Sequence, residues 1–287
     1  MDIRQIITDK IIAIMEAGTT KSGPRWTRSA GSGLPRNAKS GEAFHGINVL
    51  LLWAEAAELN YSSNQWLTYK QAETMGAQVR KGEKSVLCVY YSKIQEKGEE
   101  QDDDERSSYM MCKPFWLFNV AQIDGLPAGL TTPTAQTNEF TAIEEAERIL
   151  TESGAEIRHG FDAAFYSPSK DQICLPNPER FTSPQSYYAT ALHELTHWAG
   201  HESRLARDFG KRFGDDAYAF EELVAELGAA FVMGSLGMVD GTIAGHADYV
   251  ATWIKVLKND KRAIFSAASQ AAKAADFILA GAMVVAE

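Results

Sequence analysis

No run of 18 consecutive apolar residues occurs anywhere in this 287-residue chain, so no transmembrane helix and no membrane partner are expected. The opening Met1-Asp2-Ile3-Arg4-Gln5-Ile6-Ile7 lacks the long apolar segment and small-residue cleavage site of a secretory signal. Cysteine is scarce. Cys88, Cys112 and Cys174 are scattered, which excludes a disulfide framework and fits a reducing compartment, so the cytoplasm is expected. Internal repeats are absent, and the only low-complexity segment is an acidic run at 96–105. What is present is ordinary for a globular protein: 45% hydrophobic and 23% charged residues, over a length that favours two domains.

The net charge of −10 conceals an asymmetry. Residues 131–287 carry 13 basic and 22 acidic side chains. Residues 1–130 carry 15 and 16, but seven of those acids lie in the run Glu96–Glu105. A like-charged block of this kind reads as a solvated loop. Without it the first part is basic, with an excess of +5, while the second is acidic. The split points to two separate tasks.

Helical spacing of Ile3, Ile6, Ile7, Ile11 and Ile14 predicts a helix over 2–17. Residues 18–46 read as loop, 47–59 as a buried helix and 68–80 as a short one. Segments 85–94 and 108–118 are rich in β-formers and predict a hairpin whose loop is the acidic run. The uncharged Gly, Pro and Thr-rich stretch within 125–138 predicts a linker, dividing the chain into domains 1–124 and 139–287. Beyond it come a helix at 140–153, a short strand near 155–159 and a strand–turn–strand over 163–175. Ser183-Pro184 predicts the start of a helix that runs to Ala199 and stops at Gly200. A further helix is expected over 217–236, then an Ala-rich helical remainder, 242–285. The fold class is α+β: an α+β first domain and a mostly helical second domain with a small sheet.

The second domain holds His193-Glu194-Leu195-Thr196-His197. Histidines four residues apart project from one face of a helix and can share one ion, normally Zn²⁺. Glu194 beside them is the candidate catalytic base. A catalytic zinc needs a third ligand and leaves one position open. A histidine six residues beyond His197 would complete one known arrangement, but that position is Ser203, and His201 falls two residues early. A glutamate from a later helix is the better choice. Glu222 is expected to bind the metal, with Glu226, one turn on, accepting a hydrogen bond from a ligand imidazole. Glu221 lies about 100° round the helix and is expected to be solvated. His201, Tyr187, Tyr188, His246 and Tyr249 are expected to serve in packing or on the surface, although some have the chemistry of oxyanion donors.

In the first domain, Lys21, Arg25, Arg28, Arg36 and Lys39 cluster with Trp26, Phe44 and His45, opposed only by Glu42. Cationic side chains neutralise phosphates and aromatic rings stack on bases. The hairpin adds Tyr90, Tyr91, Tyr109, Phe115, Trp116 and Phe118, some of which must face the core because strands alternate.

Taken together the two halves resemble the plasmid-encoded ArdC antirestriction family. The first half carries Trp26, Leu34-Pro35-Arg36-Asn37, Gly41, Phe44-His45-Gly46-Ile47-Asn48, Trp66-Leu67-Thr68-Tyr69, Lys81-Gly82-Glu83 and Phe115-Trp116-Leu117-Phe118-Asn119-Val120. These are similar to the single-stranded-DNA-binding domain shared by ArdC and TraC-type primases. In the second half the likeness rests on residues 193–205, on 221–226 and on 249–275, similar to a zincin-like metallopeptidase domain. The resemblance implies single-stranded DNA as partner, with Asn37 joining the basic and aromatic residues above as a DNA contact. It implies a divalent metal, Zn²⁺ or another such as Mn²⁺, and protection of incoming plasmid DNA from restriction in the cytoplasm of a recipient bacterium. Two alternatives stay open: a metalloprotease that cleaves a host protein, and a DNA-coating module whose metal site is structural.

Overall fold

Ile7, Ile11, Ile12 and Met15 line one side of the first helix, α1 (Ile3–Gly18), and are buried there. Of the residues whose spacing predicts the helix, Ile7 and Ile11 are buried and Ile6 is exposed, because the docked face is turned toward Ile12 and Met15. The structure is a computed structural model that describes residues 2–18, 33–95, 108–131, 139–209, 216–238 and 247–283. In α2 (Ile47–Leu59), Ile47 and the whole run Val49–Ala54 are buried. A helix apolar on every side belongs to a core. Its polar exception, Asn48, spends its amide on a neighbouring strand. Asn48 Nδ2 donates to the Val89 carbonyl at 2.8 Å, and the Val89 amide donates to Asn48 Oδ1 at 2.9 Å.

That strand belongs to a four-stranded sheet. Its members are β1 (Arg36–Asn37), β2 (Gln65–Leu67), β4 (Val86–Gln95) and β5 (Ser108–Asn119), in the order β1-β2-β5-β4. β1 and β2 are parallel, and β4 and β5 form the long antiparallel hairpin expected from their composition. Two readings of the sequence need correction here. Residues 36–37, expected as loop, form a strand. The helix expected over 68–80 is α3 (Tyr69–Thr74) alone. Thr68 and Gln71 close a reciprocal cap at its start, but Gly76 adopts φ 74°, which no helix can pass through. The chain re-emerges as β3 (Gln78–Val79), paired with β6 (Ile123–Asp124).

After α4 (Ala128–Thr131) the second half opens with α5 (Glu139–Glu152). A three-stranded sheet follows: β7 (Glu156–His159), β8 (Phe165–Ser167) and β9 (Gln172–Leu175), in the order β7-β9-β8. Helices α6 (Pro184–Ala199), α7 (Asp216–Leu236), α8 (Ala247–Asn259) and α9 (Ala263–Met283) complete the chain. The Ala-rich remainder, expected as helical, is two helices. They divide at Asp260, whose carboxylate accepts from the Arg262 amide at 2.8 Å in the turn before α9. Helices and small sheets together make an α+β protein, as the sequence predicts.

Both halves contribute to one apolar cluster, which runs from Ile7 and Leu50 to Val232 and Ala268. Trp53 of α2 packs 6.1 Å from Phe231 of α7, ring centre to ring centre. The approach depends on Gly234, where a Cβ would stand 2.7 Å from the Trp53 ring. Thr8 of α1 donates to the Lys261 carbonyl at 3.0 Å. Of the expected linker, residues 132–138 lie outside the described residues.

Because the indole of Trp53 is rigid and buried, Gly234→Ala should overpack the seam and cost about 1–3 kcal/mol in a urea melt. Gly281→Ala, in a helix with nothing near the added carbon, should leave stability unchanged or raise it by up to about 1 kcal/mol. Equal responses at the two glycines would contradict this account of the seam.

Candidate functional site

Ser183 caps α6 as its sequence predicts: its hydroxyl accepts from the Ser186 amide at 3.1 Å, and Pro184 takes the first helical position. From Ala189 to Ala199 every residue of the helix is buried, the two histidines and Glu194 included. α6 can lie against α7 because Gly228 faces Thr196, where a Cβ would sit 2.5 Å from the Thr196 methyl. This close crossing brings Glu221, Glu222 and Glu226 of α7 up to the histidines of α6.

His193 and His197 meet Nε2 to Nε2 at 3.1 Å. Glu222 reaches both, with Oε2 3.5 Å from His193 Nε2 and Oε1 3.5 Å from His197 Nε2. Ligands of a tetrahedral ion bonded at about 2.0–2.2 Å stand about 3.3–3.5 Å apart. The three residues therefore fit a divalent metal by distance and by donor type. Charge points the same way. Glu194, Glu221, Glu222 and Glu226 are all buried, and Arg207 pairs with Glu221. Two imidazole nitrogens and a carboxylate turned toward one point are stabilised by a cation placed between them.

The glutamates differ from expectation in one respect. Glu221 is not solvated but buried, and its Oε1 lies 3.1 Å from His197 Nδ1. The quarter-turn that separates it from Glu222 carries it round to the far nitrogen of the same imidazole, because α6 covers this side of α7 as well. Glu226 Oε2 stands 3.9 Å from His193 Nδ1, beyond direct hydrogen-bond reach, so the hydrogen bond expected of Glu226 is not made. Burial pushes the Glu222 carboxyl up, but hydrogen bonds from His193 and Tyr218 and the charges of both histidines bring it down to about 2. For His197 burial acts downward, and the bond to Glu221 with the charges of Glu221, Glu194 and Glu222 carries the imidazole above its ordinary value. Glu194 is buried between the two histidines of the same helix.

Beside the site, Arg204 ties the exit of α6 to the β8–β9 turn. Its guanidinium lies 3.8 Å from the Trp198 ring centre, its Nε donates to the Trp198 carbonyl at 2.7 Å, and it pairs with both oxygens of Asp171. Tyr166 also donates to Asp171, at 2.7 Å. No motif marks this clamp, whose members are 33 residues apart in the chain. The other polar candidates are occupied: His201 bonds Ser203 at 2.8 Å, Tyr187 bonds His159 at 3.0 Å and Tyr188 bonds Glu147 at 2.9 Å. His246 lies outside the described residues.

Of the residues expected to touch DNA, Lys21, Arg25, Trp26 and Arg28 also lie outside the described residues. Arg36, Lys39 and His45 are exposed. Asn37 is half-buried and closes a turn, its Oδ1 accepting from the Lys39 amide at 2.9 Å. Phe44 packs against the core. On the hairpin Trp116 is 52% exposed, with Tyr90 and Tyr91 also at the surface, whereas Phe115 and Phe118 turn inward.

The Arg204 hydrogen bond holds the Asp171 carboxyl below the usual carboxylate range against the opposing effect of burial. A carboxyl depressed in the folded state adds stability above its unfolded value, about 3.9, and loses it as pH falls through the folded one. Thermal melts should therefore show Asp171→Asn less stable than the wild type near neutrality, with the gap closing below about pH 4. A gap that stays constant down to acid pH would refute the role of this ion pair.

Residues 1–118 match the N-terminal domain of anti-restriction factor ArdC, and residues 144–270 match a zincin-like metallopeptidase family. Across 96% of the chain it is 42% identical to an Escherichia coli DNA primase TraC, and it spans 27% of that protein's length. It is 37% identical to the uncharacterized protein y4eC of Sinorhizobium fredii, covering 91% of it. The antirestriction protein ArdC of plasmid R388 has been solved metal-free, and that structure superposes with a TM-score of 0.84 at 41% identity over 99% of both chains. Its Mn(II)-bound form gives 0.80 at 40% identity over 98% of both. With both segments matched in order and the likeness running the length of the chain, the protein belongs to the ArdC antirestriction family.

Proposed function

We propose that this protein binds single-stranded DNA through its first half, holds a zinc or manganese ion through its second, and protects incoming plasmid DNA from restriction during conjugation. The observation that carries the reading is a likeness to the R388 ArdC protein that spans 99% of both chains at 41% identity. The chain spans about a quarter or less of the TraC primases, so priming is no part of the proposal.

On the DNA side, Arg36 and Lys39 supply charge for phosphates, and Trp116 and Tyr91, on one face of the hairpin, supply rings for bases. Lys21, Arg25, Trp26 and Arg28 extend the same chemistry in the sequence. Contacts of this kind read no base edges, so binding has little sequence preference. A protein that coats whatever strand enters a cell has use for that indifference.

On the metal side, His193, His197 and Glu222 hold the ion. When bound, it polarises a water and lowers its pKa toward neutrality. Glu194, next to His193, would take up a proton from an attacking water and return it to the leaving amine. His197, oriented by Glu221, keeps its Nε2 lone pair toward the ion. Hydrolysis of a host protein is the activity this arrangement supports. A DNA-coating protein with a structural metal is the competing reading.

Replacing Glu194 by Ala should preserve metal binding and abolish any peptide hydrolysis. Conjugation into a restricting recipient then separates the readings: protection lost with Glu194→Ala supports catalysis, and protection retained supports coating alone. Trp116→Ala should weaken binding to a single-stranded oligonucleotide about 5–100-fold, the loss of a stacked base. Lys39→Ala should instead flatten the dependence of affinity on salt. Equal affinity for duplex and single strand would count against the DNA assignment.

A further inference from the structure

Residues 200–207 leave the end of α6 and fold back onto it. The Leu205 amide donates to the Ala199 carbonyl at 3.1 Å, and the Arg207 amide donates to the Gly200 carbonyl at 2.8 Å. The return delivers Arg207, whose side chain is only 4% exposed. Its Nη2 donates to Glu221 Oε1 at 2.6 Å and to the Thr196 carbonyl at 2.6 Å, and its Nε donates to Glu221 Oε2 at 3.0 Å. Both oxygens of Glu221 are thus held by one planar fork, which fixes the carboxylate in orientation as well as in place. The same Oε1 faces His197 Nδ1 at 3.1 Å.

Gly200 has a part in this that its backbone does not explain. Its φ of −79° and ψ of −8° are open to any residue, so the helix end does not call for glycine. A Cβ there, however, would stand 2.6 Å from Cζ and Nη2 of Arg207 and 2.9 Å from Nε. The bare α-carbon is the floor on which the guanidinium lies. Arg207 cannot swing clear without giving up its three hydrogen bonds.

We propose that Arg207, seated on Gly200, is a positioning residue for the metal centre. It fixes Glu221, and Glu221 fixes the His197 ring with Nδ1 as donor and Nε2 toward the ion. The inference rests on the reading of His193, His197 and Glu222 as the metal ligands. Groups that orient a ligand in this way typically change metal affinity 10–100-fold when removed, on the order of the effect expected here. The pairing also cancels the charge of one of the four buried glutamates, so Glu221 orients the imidazole without adding to the negative charge the ion must balance.

The test uses the full-length chain, with Mn²⁺ and Zn²⁺ affinities measured by chelator competition and the Co²⁺ absorption spectrum as a report on ligand geometry. Arg207→Met should weaken binding about 10–100-fold and alter the Co²⁺ bands. Arg207→Lys, which keeps the charge but not the fork, should restore only part of the affinity. Gly200→Ala should reproduce the loss by lifting the guanidinium while leaving it in the chain, and it decides the matter should Arg207→Met fail to fold. Arg204→Met is the control: it removes the other arginine of the same segment, which touches Trp198 and Asp171 but not Glu221, and should leave metal affinity unchanged. Wild-type affinity and spectrum in folded Arg207→Met would overturn the proposal, as would an equal loss in Arg204→Met. A wild-type protein that binds no metal would overturn the ligand assignment, and this inference with it.

Discussion

The crossing of α6 and α7 buries four carboxylates and two imidazoles in one place, and much of the second half is arranged around that fact. A buried carboxylate costs several kcal/mol unless it is paired, on the order of the whole margin by which a domain is stable. Arg207 offsets one of the four. The ligand atoms of His193, His197 and Glu222 stand at the spacing of a tetrahedral edge. Gly228 under Thr196 and Gly200 under Arg207 are the two places where a missing side chain lets the charged groups approach.

α7 also joins the site to the rest of the molecule. Its glutamates lie in its first turns, and Phe231 and Gly234, near its end, pack against Trp53 of the first half. Glu222 and Gly234 are separated by 12 residues of continuous helix, about 18 Å. The β4–β5 hairpin is tied to α2 through Asn48, and α2 to α7 through Trp53. The proposed DNA surface and the proposed metal centre are therefore parts of one packed body with a shared apolar core.

Much of this was legible beforehand where local chemistry is decisive. The Ser183-Pro184 cap, the apolar run of α2 and the β-rich hairpin produce their elements through interactions within a few residues. Reading failed where the deciding contact comes from elsewhere. The strand at Arg36–Asn37 exists because β2, 29 residues on, offers it a partner. Residues 77–80 left the helical pattern because β6 pairs with β3 and Gly76 permits the turn. Glu221 was assigned to solvent by helical geometry alone, which fixes its angle to Glu222 but not what covers that side of the helix.

The sequence by itself determined the ligand types and their order: two imidazoles on one helix face, carboxylates one turn apart on a later helix, and a basic, aromatic first half. Those follow from chemical identity and from the 3.6-residue period, both local properties. Only the tertiary structure decided which carboxylate meets which nitrogen, that Arg207 holds Glu221, that Gly200 is small for a neighbour's sake, and that Trp116 faces water while Leu117 does not. Each of these depends on the distance between elements far apart in the chain, and that distance is set by close packing rather than by any short stretch of residues.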